Sequence, residues 1–312
     1  MIFTAPLQTP EPSVNYTRVL ARDDDAGVTN KSLVGLLCVF FGYLVVVMAV
    51  AYVVVSLGWL LRGRPGTLAE FASYAMHYAY PEGLLGSHLG LATMTLICFG
   101  VVYWIHRVRP RWLVSVQPGM RWRYLLACLL VACVALNAIY WLSRIGQPFQ
   151  PDLPSNASLW FSSILIASPL QAAGEEFVFR GYLMQSVGTF ARSPWVSVAF
   201  SAAIFAMMHG SQNLPLFVDR LGFGLLAGGL VVLTGGLEAA IAAHVINNVF
   251  SFGYATLTGT LTQAHAISVS SWTTTGWDLA AYAITFAGCW FVGKKMNVAR
   301  KTPNFVSGAK TV

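Results

Sequence analysis

GEEFVFRG, residues 174–181, interrupts an apolar stretch of a 312-residue chain. The fifteen residues before it, 159–173, carry no charge, and then Glu175, Glu176 and Arg180 arrive within six positions. A charge near the centre of a bilayer costs at least about 2.5–3.5 kcal/mol on insertion scales, so it normally faces a partner or a cavity. On a helix, Glu176 and Arg180 stand at i,i+4 and can pair on one face. Glu175 is rotated by about 100° from Glu176 and is left to point elsewhere. The bland alternative is a solvated helix end with Arg180 close to a surface.

Composition favours the membrane. The chain is 56% hydrophobic and 10% charged, with mean hydropathy +0.62, whereas soluble domains carry about 25% charged residues. The net charge of +7 does not read as a nucleic-acid face. Its basic residues gather in Arg107, Arg109, Arg111, Arg121 and Arg123, and again in Lys294, Lys295, Arg300 and Lys301. Each group flanks an apolar span, as cytoplasmic loops do, and no aromatic-basic interleaving accompanies them. Cys38, Cys98, Cys128, Cys133 and Cys289 all fall within apolar spans without CxxC spacing. They read as small buried hydrophobes rather than a disulfide framework or a zinc site. No cleavable signal peptide is expected, because the first apolar run follows a mixed-charge segment and exceeds a signal's apolar region.

A membrane-crossing helix needs about 20 apolar residues. Spans are expected at 33–61, 84–105, 124–142, 159–180, 195–212, 216–234, 237–254 and 278–293. The fold class is therefore all-α, a polytopic membrane protein with about eight transmembrane helices. Loop 62–83 is placed along the interface by its tyrosines, and His88 is read as interfacial. An even count puts both termini on one side. The arginine-rich 106–123 loop and the basic C-terminal segment make that side cytoplasmic. Divided by function, the chain has an N-terminal tail (1–32), N-terminal helices (33–157), a core (158–253), a loop with the last helix (254–293) and a basic tail (294–312). Gly224 and Gly228 form a GxxxG pair, read as tight helix packing.

Intramembrane ionisable groups concentrate in the second half. His209 follows Phe205 by four residues in FAMMH, and His244 precedes Asn248 by four in HVINN. At 1.5 Å per residue, His209 lies roughly 21 Å along its helix from Trp195, and Glu175 lies roughly 22 Å from Phe190. These depths agree only if the fourth helix runs on to about residue 190 with Gly181 and Gly188 inside it.

Glu175-Glu176-x-x-x-Arg180, Phe205-x-x-x-His209 and His244-x-x-x-Asn248, in that order on apolar segments, resemble the CPBP family of intramembrane proteases. That family includes the type II CAAX prenyl endopeptidases and the bacterial abortive-infection (Abi) proteins. The similarity covers about residues 158–253. It implies an intramembrane endopeptidase in which Glu175, assisted by His209, activates a water. His244 and Asn248 then stabilise the oxyanion, and Glu176, Arg180 and Phe205 support the site. A carboxylate can take a proton from water, and preorganised donors can hold a developing oxyanion.

The adopted reading needs no cofactor. Glu175, His209 and His244 are also the residue types of a zinc site with two histidines and one carboxylate, so Zn2+ or another divalent metal is the alternative, although no HExxH occurs. The implied partner is a membrane-bound, lipidated or hydrophobic polypeptide within the lipid bilayer, with no nucleic acid, and the implied location is a bacterial plasma membrane. Two other classes compete. A scaffold or immunity protein of the same fold would dock partners without cutting them. A transporter would also place Glu, His and Arg in the membrane but would favour inverted repeats, and none is apparent.

Overall fold

The computed structural model describes residues 6–304, so residues 1–5 and the end of the expected 294–312 tail lie outside the described residues. Every expected span contains a helix. Helix α1 is Val28–Leu61, with a π-helical turn at Tyr43–Val47. It is followed by α2 (Leu68–Met76), α3 (Pro81–Trp104) and α4 (Trp122–Leu142). Helix α5 (Ala157–Glu176) continues through a π turn, Phe177–Leu183, to Val187. Then come α6 (Pro194–Met207), α7 (Leu214–Thr234), α8 (Glu238–Leu257), the short α9 (Leu261–His265) and α10 (Trp272–Lys295). No strand is formed among the described residues, only three isolated bridges. Helices α1, α3, α4 and α7 are long and apolar enough to cross a membrane. Their outward apolar side chains, Phe41, Val45, Leu96, Leu130 and Val134 among them, are exposed as in an integral membrane protein.

Several boundaries differ from the sequence reading. Helix α1 begins at Val28 rather than residue 33. Helix α5 ends at Val187, so Gly181 is inside it as expected while Gly188 caps it. Gly188 is required there by contact: a Cβ would overlap the Thr17 carbonyl oxygen of the N-terminal segment. Helix α6 stops at Met207, which leaves His209 in a turn rather than on the helix. The 62–83 loop contains α2, whose N-terminus is closed by a reciprocal Thr67–Glu70 capping box.

Helix α5 packs against α3 and α8, α6 against α7, and α4 against α8 and α10. The GxxxG pair does what its spacing implies: Gly224 and Gly228 abut Ala202 and Val198 of α6. The N-terminal segment is packed rather than loose. Tyr16, Thr17, Val19 and Leu20 are buried, and the Tyr16 hydroxyl donates to the Leu113 carbonyl at 2.5 Å. Asn15 bridges Lys301, and the Thr302 N–H donates to the Val14 carbonyl, so the two terminal segments share one end of the bundle. At that end Arg121 forms a bidentate pair with Glu238 (Nε–Oε1 2.8 Å, Nη2–Oε2 2.6 Å) and donates to the carbonyls of Thr234 and Ala299.

Candidate functional site

The octet sits where α5 passes from α-helical to π-helical hydrogen bonding. Single π turns inside α-helices recur at functional sites. Glu176 is the last α-helical residue and Arg180 lies in the wide turn, with Nη1 donating to Glu176 Oε1 at 2.9 Å. Both side chains are 0% exposed, so the pair is an interior one and not a solvated helix end. The guanidinium is further enclosed by aromatic faces, with Phe205 at 4.2 Å, Phe223 at 5.4 Å and Phe179 at 6.0 Å. Those ring faces are electronegative, so they lower the cost of burying the cation beside its paired carboxylate. Phe205, expected as a support, is thus placed against the arginine.

His244, from α8, stands between the two glutamates. Its Nδ1 lies 2.8 Å from Glu176 Oε1, and its Nε2 lies 3.5 Å from Glu175 Oε2. Glu176 Oε1 also accepts from Arg180, so, with its proton on Nδ1, the His244 ring donates to the same oxygen. That bond fixes the ring orientation and aims Nε2 at Glu175. Glu175 differs from its neighbour as the 100° rotation requires: its side chain is 16% exposed and forms no ion pair with Arg180.

One turn further along α8, Asn248 donates from Nδ2 to Gln171 Oε1 at 2.8 Å. Gln171 stands four residues before Glu175, on the same face of α5. The sequence reading missed Gln171, although that i,i+4 spacing was available as a signal. Phe223 was also missed. Its ring lies 5.1 Å from that of His244 and helps to seat it.

His209 reaches the site from the other side. A carbonyl can only accept, so His209 Nδ1–H donates to the Phe205 carbonyl at 2.7 Å and leaves Nε2 free. Phe205 links the groups, its ring 4.6 Å from that of His209 and 6.1 Å from that of His244. His209 lies within electrostatic reach of both Glu175 and His244. Its turn is held by Arg220, which donates to the His209 carbonyl at 3.4 Å and to Gln212 Oε1 at 2.7 Å. All four residues expected at the centre, Glu175, His209, His244 and Asn248, therefore border one region.

His88 corrects the sequence reading. It is buried within α3, with Nδ1 3.1 Å from Ser168 Oγ of α5 and its ring 5.1 Å from that of Phe252. A polar ring closed in by two other helices has no interfacial function, and its partner lies 80 residues away in sequence.

Tested as a metal site, the donor set falls short. Glu175 Oε2 and His244 Nε2 are spaced as two ligands of one ion could be. No third His, Cys, Asp or Glu joins them in a ligating group among the described residues.

The site lies within the region that a family model matches. Residues 157–250 match the family model described as "Type II CAAX prenyl endopeptidase Rce1-like". The chain is also 26% identical over 153 residues to the "Uncharacterized protein YyaK" of Bacillus subtilis (strain 168). That alignment covers 46% of this chain and 51% of YyaK, so the chain spans about half the length of the curated relative it matches. No solved structure matches significantly.

Proposed function

We propose that the protein is an intramembrane endopeptidase of the CAAX-protease type, hydrolysing a peptide bond of a membrane-associated polypeptide through a glutamate-activated water. The observation that carries this reading is the suspension of His244 between two unlike glutamates. One is locked by an arginine, and the other is partly accessible and forms no ion pair with that arginine.

The division of labour follows. Glu176 and Arg180 hold His244 by Nδ1. Glu175 accepts a proton from water while the oxygen attacks the substrate carbonyl carbon. The neutral Nε2 of His209 accepts the water's second hydrogen bond and orients it. The amide N–H of Asn248 and the Nε2–H of His244, when that nitrogen is protonated, face the carbonyl oxygen as it gains charge. Asn248 exchanges Gln171 for the oxyanion, so its donor is already oriented in the resting site. Collapse of the tetrahedral intermediate breaks the C–N bond, and the proton held on Glu175 passes to the leaving amine. Water is the only co-reactant, and no step needs a metal. The eight longest helices, all but α2 and α9, are assigned as eight spans, with the substrate lipidated, transmembrane or otherwise hydrophobic.

The test compares peptide termini in membranes from cells making the native protein or Glu175→Gln at equal level. New termini that depend on Glu175 support the assignment. Identical termini, with the protein's cellular effect preserved in the variant, would replace it with a non-cutting scaffold.

A further inference from the structure

The bundle has two unlike ends. The end that gathers the terminal segments is closed and basic. Gln8 donates to the Arg107 carbonyl, Val116 to that of Gly235 and Arg18 to that of Gly188, tying four loops into one floor. Trp112, Leu113, Val116 and Tyr16 in that floor are buried, and so is Glu238 beneath Arg121. On the inner side of the candidate site Arg180, Tyr182 and Gln185 have no exposure, so nothing reaches Glu175 from there.

The opposite end is built from loops 62–80, 143–156, 208–213 and 258–271, with Asn213 bonded to Ser268 and Ser270. One part of it is irregular backbone with exposed side chains. Helix α6 has 14 residues and so rises roughly 21 Å, short of the ~30 Å of a bilayer core. The chain then climbs to Leu214 as irregular backbone, with residues 207–211 exposed and His209 among them. Irregular backbone at membrane depth is tolerated only inside protein or beside water, and an exposed histidine carries the same requirement. The notch that this leaves above α6 therefore calls for water or protein around it.

Charge gives the ends their sides. Among the eighteen described lysines and arginines, thirteen lie at or next to the closed end. The open end has four: Arg62, Arg64, Arg144 and Arg220, and Arg180 lies between. Arg62 is paired with Glu82, which lowers the charge of the open end further. The basic end faces the cytoplasm.

We infer that the candidate site is entered from the non-cytoplasmic face, through the notch at 207–212, so that its substrate is a polypeptide segment displayed on that face: an exported chain or the outer part of a membrane protein. The substrate assignment rests on the proposed proteolytic function, whereas the direction of opening does not.

The experiment introduces Ser211→Cys or Gln117→Cys, both exposed positions on opposite ends, into a Cys38→Ser, Cys133→Ser background. Spheroplasts are treated with a membrane-impermeant maleimide before or after permeabilisation. The expected result is labelling of the position-211 cysteine in intact spheroplasts and of the position-117 cysteine only after permeabilisation. The reverse pattern overturns the inference, as does a position-211 thiol that stays unreactive in permeabilised membranes, which would place the turn in lipid or protein. A second arm applies a bulky impermeant maleimide to the position-211 variant and measures Glu175-dependent cleavage. Loss of at least tenfold is expected, and unchanged cleavage overturns the entry route. Absence of cleavage before labelling would count against the proteolytic reading alone, because the first arm does not involve cleavage.

Discussion

Glu175→Gln and Glu176→Gln each remove one negative charge from adjacent residues, yet the two variants should fail in opposite ways. Glu176 lies 2.9 Å from Arg180 with both side chains fully enclosed. At an effective dielectric of ~20 that separation corresponds to an attraction of about 6 kcal/mol before desolvation is subtracted. Breaking a buried pair by neutralising one partner costs about 3–5 kcal/mol, because the other charge stays behind. The glutamine amide oxygen still accepts from Arg180, and three aromatic faces still surround the guanidinium, so the expected loss is near 3 kcal/mol. On the scale of about 2–4 °C per kcal/mol, Tm falls by roughly 6–12 °C. Glu175 forms no ion pair with Arg180; the ion pair it makes is with the His244 ring nitrogen at 3.5 Å. Neutralising a partly exposed carboxylate of that kind should cost less than about 1 kcal/mol while abolishing cleavage.

The assay is built into the chain. Cys98, Cys128 and Cys289 are buried thiols, so a fluorogenic maleimide in detergent reports unfolding as temperature rises. The reasoning is refuted if Glu176→Gln melts within about 2 °C of the native protein, or if Glu175→Gln is the less stable of the two.

Three further outcomes follow from other parts of the molecule. Asn248→Ala should lower kcat by ~10²–10³ if its amide holds the oxyanion, with a stability loss near 1 kcal/mol for the bond to Gln171; peptide-release kinetics and the same melting assay separate the two. Gly188→Ala puts a Cβ into the Thr17 carbonyl, so it should cost about 1–3 kcal/mol and increase protease cutting within residues 6–27. Glu70 is held below the usual carboxylate range by hydrogen bonds from the Thr67 backbone N–H and hydroxyl. Its capping contribution is therefore complete above the ordinary carboxylate pKa and is lost as pH falls through the lowered folded value. Thr67→Ala should remove that dependence, as read by amide exchange over residues 68–76.

What could be read in advance depended on the range of the interaction. Apolar length located the eight longest helices, but not α2 or α9, because an apolar run is a segment-by-segment signal. The Glu176–Arg180 pair was legible because i,i+4 proximity is local, and the outward turn of Glu175 followed from the same geometry. Long-range partners were not legible. Nothing near His88 in sequence announces Ser168, and nothing near Arg121 announces Glu238. Arg121 looked like one more loop cation and is instead the centre of a buried clasp. The 6–27 segment, polar and punctuated by prolines, reads as a tail because Tyr16, Val19 and Leu20 have no helical period and find their neighbours only in three dimensions. The end of α5 was misplaced for a related reason, since what stops it at Gly188 is the proximity of Thr17.

The wide turn at Phe177–Leu183 has a genetic corollary. A π turn accommodates one more residue than the α-helix around it, so it is equivalent to a tolerated insertion. Deleting one residue between 177 and 179 would give back a regular helix of unchanged hydropathy, and the protein would still insert into the membrane. Arg180 would then follow Glu176 by three residues instead of four, on a turn of tighter pitch, and its seat among Phe179, Phe205 and Phe223 would change. The reading frame of this helix, counted in single residues, is thus as much a part of the site as the identities of its acids.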